Sequence, residues 1–280
     1  MNPYSIDPNQ SYSPPPSDLV PSSSDENFIR EGRAVPVGSS IAWLQSGFNT
    51  FKAAPGVWIG VLLINFVINF LVGLVPFVGS IVTYVLMPVF TAGFMMLCHA
   101  IYKKEAPSVD LMFAGFKNNT GQLALVGLLW FVGIVVIVGA LVAFFFASIG
   151  FAALGGLAKS GDFSSLFMGM GVGKIIGVVI VGMLMMLVLS AATYFAPVLV
   201  MNHKMDAIEA IKSSFSACLK NVLVFVVYFF VMVGAMIVFG VLAAMLGWIM
   251  ILVMIVGAFV LWPTVVAAIY AAYRQIYFAE

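Results

Sequence analysis

Charge is what this chain has least of. Asp, Glu, Lys and Arg make up 8% of its 280 residues, against roughly 25% in an ordinary soluble domain. Four stretches, 53–102, 118–158, 175–203 and 221–273, hold no charged residue at all, and together they cover 173 positions. In water they would need burial inside a much larger protein. In a bilayer they are natural spans, because a helix satisfies its own backbone polar groups and crosses with about 20 apolar residues.

Other absences narrow the function. A formal net charge of +1 leaves no basic excess of the kind nucleic-acid binding needs, so nucleic acid is not an expected partner. Two cysteines, Cys98 and Cys218, make no disulfide framework. The first 27 residues show no basic run followed by an apolar one, which argues against a cleaved signal peptide and leaves insertion to the first span. No ionisable residue falls at mid-depth of an apolar stretch, where proton- or sodium-coupled carriers need one. The chain has no HExxH, Ser/His/Asp set or nucleotide loop. Gly169-Met170-Gly171-Val172-Gly173-Lys174 fails as a phosphate loop, because Met168 stands where glycine is required and Ile175 where Ser or Thr is. The expectation is a protein without catalytic activity, cofactor or metal.

Residues 1–36 are a different material. They contain seven prolines, and Asp7, Asp18, Asp25, Glu26 and Glu31 outweigh Arg30 and Arg33. Such a segment buries too little apolar area to offset its ordering entropy, which predicts a disordered, acidic, Pro/Ser-rich cytoplasmic tail over 1–36 and a membrane domain over 37–280.

The apolar stretches divide by length into six spans, near 56–75, 80–102, 121–147, 175–201, 221–245 and 249–272. Pro76 and Gly79 supply the first turn, and Gly247-Trp248 the last. The third span ends where the small-residue stretch 150–156 begins an outer segment, 148–173. Six spans put both termini on one side. Ten Lys and Arg lie there, against Lys159 and Lys174 on the other. That asymmetry predicts cytoplasmic termini, with Cys98 and Cys218 near the same reducing face.

The same side carries a repeat. Ile41, Leu44, Phe48 and Phe51 precede the first span; Ile208, Ile211, Phe215 and Cys218 precede the fifth. Both sets run i, i+3, i+7, i+10, the stripe of an amphipathic helix, and Ser46-Gly47-Phe48 lies over Ser213-Ser214-Phe215. A shorter relative, Val109, Met112, Phe113 and Phe116, precedes the third span. Asp206 with Glu209 reads as a capping box. Pro88 to Tyr102 and Pro263 to Tyr277 share one spacing. The pattern predicts an all-α protein of three membrane hairpins, each preceded by a cytoplasmic interfacial helix anchored by Phe48, Phe51, Phe116 and Phe215. Lys104, Lys117, Lys212 and Lys220 would each contribute around 1 kcal/mol on an anionic leaflet. The bilayer is the expected partner, with anionic lipids and other membrane proteins.

Trp43, Gly47-Phe48, Phe51-Lys52, Pro55 and Trp58 form a block. Val75-Pro76-Phe77-Val78-Gly79, the stretches 88–93 and 111–117, Phe195-Ala196-Pro197 and 207–221 follow it. Over about residues 37–275 this resembles a family of uncharacterised bacterial multi-span inner-membrane proteins. It is similar in layout to YciC-like proteins and to the membrane domain of some glycerophosphodiester phosphodiesterases. The resemblance implies a bacterial inner-membrane location and this architecture; its motifs are structural and bring no catalytic residue.

Asn65 and Asn69, four apart near the middle of the first span, share one helix face. They either hydrogen-bond a neighbouring helix, worth about 0.6 kcal/mol per contact, or line a substrate cavity with Ser190, Thr193, Tyr194 and Tyr228. The second option makes the chain an uncoupled channel or exporter for a small or lipid-like substrate; the first makes it an interaction or envelope-maintenance component. Cys98-His99, His203 and Cys218 are metal-capable types whose spacing fits no closed zinc site, and the methionines read as apolar packing.

Overall fold

The computed structural model describes residues 27–75, 78–160, 172–245 and 250–279. Six of its helices are long and apolar enough to cross a bilayer: Pro55–Gly73, Gly79–Tyr102, Thr120–Phe145, Gly173–His203, Val222–Leu242 and Gly257–Tyr277. The chain is built as an integral, multi-pass membrane protein.

In chain order the elements are α1 (Ser39–Ala53), α2 (Pro55–Gly73), α3 (Val78–Tyr102), a 3-10 turn (Val109–Phe113), α4 (Ala114–Lys117), α5 (Thr120–Ser160), α6 (Val172–Thr193), α7 (Ala196–His203), α8 (Ala207–Lys220), α9 (Val222–Met245) and α10 (Met250–Tyr277). Pro55 opens α2 as the first helical residue, where its missing N–H costs nothing. Pro88 and Pro263 sit inside α3 and α10 without ending them.

Several boundaries differ from the sequence reading. The third span, Thr120–Phe145, ends close to the expected 147, but the helix does not: α5 runs 41 residues to Ser160, about 60 Å at 1.5 Å per residue, twice the ~30 Å hydrocarbon core. The outer segment is therefore helical as far as 160, and 161–171 lie outside the described residues, as does the turn at Gly247-Trp248. The fourth span breaks at Tyr194-Phe195 into α6 and α7, ahead of Pro197. The middle unit has no continuous interfacial helix. Between Pro107 and Asn119, which is left-handed at φ 53°, the chain fits only the 3-10 turn and the single turn of α4. The capping box is not formed either. Asp206 has an extended N-cap backbone but makes no side-chain cap bond. Instead Gln122 Oε1 of α5 accepts from the Ala207 N–H at 2.9 Å, and Glu209 pairs with Arg30.

The proposed tail boundary also moves. Residues 27–36 form a strap bound to the folded body, and 1–26 lie outside the described residues. The strap is polar in composition, but its backbone N–H groups find acceptors on the C-terminal end: Ile29 N–H donates to the Tyr277 carbonyl at 2.7 Å and Arg33 N–H to the Ile276 carbonyl at 2.8 Å.

Helices α1 and α8 turn mainly small residues inward, with Trp43 the large exception. The buried residues of α1 are Ser39, Ser40, Trp43 and Gly47; those of α8 are Ala207, Ala210, Ser213, Ser214, Ala217 and Cys218. The anchors face elsewhere. Phe48 is 42% exposed, Ile41, Phe116 and Ile208 are exposed as well, and Phe51 and Phe215 are half-buried. Close backbone approach selects the small side.

That approach closes a ring. α1 packs on α10, the 3-10 turn and α4 on α3, and α8 on α6 and α7. Each interfacial element thus seats on the last span of the unit before it, and the first unit seats on the last. Equivalent small residues make each seat. Gly47 meets the backbone of Thr264 and Ala268, beside Pro263; Gly115 meets the backbone of Val89, beside Pro88. The third seat holds Ser214, and there the span is broken. Spans consecutive in the chain, α2–α3, α5–α6 and α9–α10, touch, but the broadest contacts are α1–α10 and α3–α5.

Candidate functional site

Burial concentrates at one end of the bundle, where the ends of α3, α7 and α10 meet α8 and the strap. This end carries the Lys and Arg excess and is called the basic end below. Tyr270, Tyr273 and Tyr277 lie at i, i+3, i+7 on one face of α10, and all three are buried. A buried hydroxyl left unpaired costs about 1–3 kcal/mol, and each of these meets a partner from another element. Tyr270 Oη is 2.7 Å from His99 Nδ1 of α3. Tyr273 Oη is 2.7 Å from His203 Nε2 of α7. Tyr277 Oη is 3.2 Å from the Ser213 hydroxyl of α8, which itself donates to the Arg30 carbonyl of the strap. Trp43 Nε1 of α1 donates to Gln275 Oε1 at 2.6 Å.

The strap completes the cluster. The Phe28 ring stacks on His203 at 3.6 Å with an 18° tilt, and packs against Tyr277 and Phe278. Asn221, 2% exposed, receives the Val35 N–H at 2.8 Å and donates to the Arg33 carbonyl at 2.8 Å. Gly32 turns the strap with φ +66°, and a Cβ there would stand 2.7 Å from Ala217 Cβ. Lys220 Nζ donates to the Gly32 carbonyl at 3.1 Å and the Glu31 carbonyl at 3.2 Å. It serves as a strap clamp, beyond the leaflet contact expected of it.

The break in the fourth span has a specific keystone. Ser214 Oγ donates to the Ala191 carbonyl at 2.7 Å and accepts the Phe195 N–H at 3.0 Å. One hydroxyl thus joins the two sides of the gap. Ser214→Ala leaves a buried N–H and carbonyl unpaired, so a loss of about 1–3 kcal/mol is expected in thermal unfolding in detergent. Ser190→Ala, on an exposed position of α6, serves as the silent control. Equal melting of the two variants would remove Ser214 from this role.

The polar residues anticipated within the spans do not form one group. Asn65 is half-buried and Asn69 exposed, and Asn69 Nδ2 donates within α2, to the Asn65 carbonyl at 2.8 Å and to Asn65 Oδ1 at 3.2 Å. Thr193 Oγ1 donates to the Leu189 carbonyl of its own helix at 3.1 Å. Tyr194 and Tyr228 do come together: Tyr194 packs edge-on against Phe225 at 5.4 Å, and Trp43 touches both Phe225 and Tyr228. The Tyr228 hydroxyl is buried without a hydrogen-bond partner.

No family profile, curated protein or solved structure matches the chain. The site is therefore argued from its own chemistry. Both cysteines are buried, and burial pushes the Cys218 thiol up to about 12, away from reactivity at neutral pH. Among the described residues no three His, Cys, Asp or Glu side chains gather as a metal site. An open cleft of about 510 Å³ lies between α5 and α8, lined by Gln122, Leu125, Asp206, Ile208, Glu209 and Lys212 among others. What the buried cluster does is mechanical: it ties the strap, α1, α3, α7, α8 and α10 to one another.

Sequence reading passed over Tyr270, Tyr273, Tyr277, Gln275, Asn221 and the strap. The tyrosine spacing was visible along one helix face. Their partners were not, because His99 and Tyr270, for example, are 171 positions apart.

Proposed function

We propose that the chain is a non-catalytic scaffold of a bacterial inner membrane, with both termini cytoplasmic. In this reading it rests its basic end on the anionic leaflet and serves interaction or envelope maintenance. The observation that carries it is the outward face of the interfacial helices. With small residues turned inward, α1 presents exposed Ile41 and Phe48 beside Lys52, and α8 presents exposed Ile208 beside Lys212. Lys52 Nζ lies 4.9 Å from the Phe48 ring centre. An apolar residue flanked by a lysine suits the headgroup boundary, where the ring enters and the ammonium meets phosphate. The resemblance to uncharacterised inner-membrane proteins agrees with this location. The alternative, an uncoupled channel or exporter, rests on the asparagine pair, whose visible hydrogen bonds stay within α2.

The test is lipid retention. Protein purified from membranes and examined by native mass spectrometry should keep anionic lipid in preference to zwitterionic lipid. Lys52→Gln with Lys212→Gln should lower anionic-lipid affinity roughly thirtyfold, at about 1 kcal/mol per lysine. Retention without headgroup preference in the unmodified protein would overturn the reading.

A further inference from the structure

A second group of cations lies apart from the rim lysines, around the root of the strap. Lys204 follows His203, the residue Phe28 covers. Phe28 also touches Phe278 at 5.8 Å. The Arg274 guanidinium lies 4.1 Å over the Phe278 ring and 4.9 Å over the Tyr102 ring, and Lys103 and Lys104 follow Tyr102 directly. Ring contacts run from Tyr102 through Arg274 and Phe278 to His203, and Lys103, Lys104 and Lys204 follow the two ends of that run in sequence, so the four cations belong to the ends of α3, α10 and α7. The three lysines are exposed. Among the described residues no ion pair involves these four cations: Arg30 pairs with Glu209 and Lys220 with Glu31, and Glu105 shares the Lys104 loop without pairing to it.

The backbone gives an independent sign. Lys104 and Lys204 are left-handed, at φ 58° and 53°, just past the ends of α3 and α7. Glycine takes that conformation without strain and is the usual residue there. At both positions the chain bears the strain and carries an ammonium.

The matching charge belongs to the same molecule. Residues 1–26 hold Asp7, Asp18, Asp25 and Glu26 and no Lys or Arg. Their point of departure is set: the Asn27 carbonyl accepts the Ala279 N–H at 3.2 Å, beside Phe278 and within the cation group. At up to ~3.3 Å per residue, the nine-residue separation of Asp18 from Asn27 allows a reach of up to ~30 Å from that point.

We propose that residues 1–26 dock on Lys103, Lys104, Lys204 and Arg274 and cover them, as an acidic segment of this chain occupying its own basic face. The rim lysines remain for the leaflet, because Lys52 and Lys212 flank exposed apolar side chains. The central four sit on the ends of the more deeply buried spans.

The experiment uses the full chain in zwitterionic detergent. Ser22→Cys supplies an accessible thiol for a nitroxide label, since Cys98 and Cys218 are buried. At about 20 mM salt the label should be immobilised. At about 500 mM salt, where screening shortens to a few ångströms, the immobilised fraction should fall about fivefold. Lys103→Gln, Lys104→Gln and Lys204→Gln together should release it at low salt, while Lys52→Gln with Lys212→Gln should not. A label that is mobile at low salt overturns the proposal, as does immobilisation indifferent to the central triple variant. So does anionic lipid bound to the central cations with the label free, an outcome that would give this face to lipid.

Discussion

Gly47→Ala and Gly115→Ala should each remove most of the folded protein recoverable in detergent, while Gly139→Ala should leave yield and melting temperature unchanged or slightly raised. All three are glycines of helical segments, Gly47 in α1, Gly115 in the single turn of α4 and Gly139 in α5; they differ in what a methyl group would meet. At Gly47 it would press on the Thr264 carbonyl and stand 2.8 Å from the Ala268 nitrogen; at Gly115 it would press on the Val89 carbonyl; at Gly139 it would meet nothing within 4 Å. The obstructing atoms at the first two sites are backbone and cannot rotate away. Overpacking costs typically 1–3 kcal/mol and more where relief is blocked, so about 3 kcal/mol or more is expected, against a total stability of roughly 5–15 kcal/mol. At Gly139 helix propensity alone favours alanine by up to about 1 kcal/mol. If Gly47→Ala melted like the parent, α1 would not be seated on α10 and the closed ring would be lost.

Truncation should divide sharply at residue 27. Deleting 2–26 should shift thermal stability by about 1 kcal/mol or less, since surface ion pairs contribute little. Extending the deletion to 36 should destabilise by several kcal/mol. It strips Phe28 from His203, leaves Asn221 without the Val35 and Arg33 backbone, and uncovers the Tyr277 and Ile276 carbonyls. A buried polar group that loses its partner costs about 1–3 kcal/mol, and several do so at once. Asn221→Ala isolates the largest piece and should reproduce about 2–3 kcal/mol of the loss. Equal stability of the two truncations, read by the midpoint of unfolding in detergent, would show that the strap contributes nothing.

The strap shows where composition misleads. Residues 27–36 carry Phe28, Ile29 and Val35 but no apolar period, so their own sequence offers little reason to fold. Their order comes from donors on α8, from Asn221 and from carbonyl acceptors at the end of α10, which come together only after those helices have met. The middle interfacial element shows a different limit. Val109, Met112, Phe113 and Phe116 have helical spacing, but the segment between Pro107 and Asn119 forms a 3-10 turn and the single turn of α4 rather than one α-helix. The keystone at Ser214 was half legible. Its alignment with Gly47 was plain, but that its hydroxyl joins the ends of a broken span depended on Pro197 and on the placement of α8.

Membrane spanning was determined by the sequence alone, because the property is local. A run of about 20 uncharged apolar residues satisfies its backbone within itself and pays no desolvation cost in lipid, whatever its neighbours do. Six such helices follow from that rule alone. The direction of the interfacial helices was decided only by the tertiary structure. Amphipathic spacing separates apolar from polar faces, but it does not say whether the large apolar side or the small side meets the bundle. Packing against the backbone of α3, α6, α7 and α10 settles it: at those distances glycine, alanine and serine fit and phenylalanine does not. Ile41, Phe48 and Ile208 are thereby turned outward, while Trp43 is the large residue that still enters the core, beside Gln275.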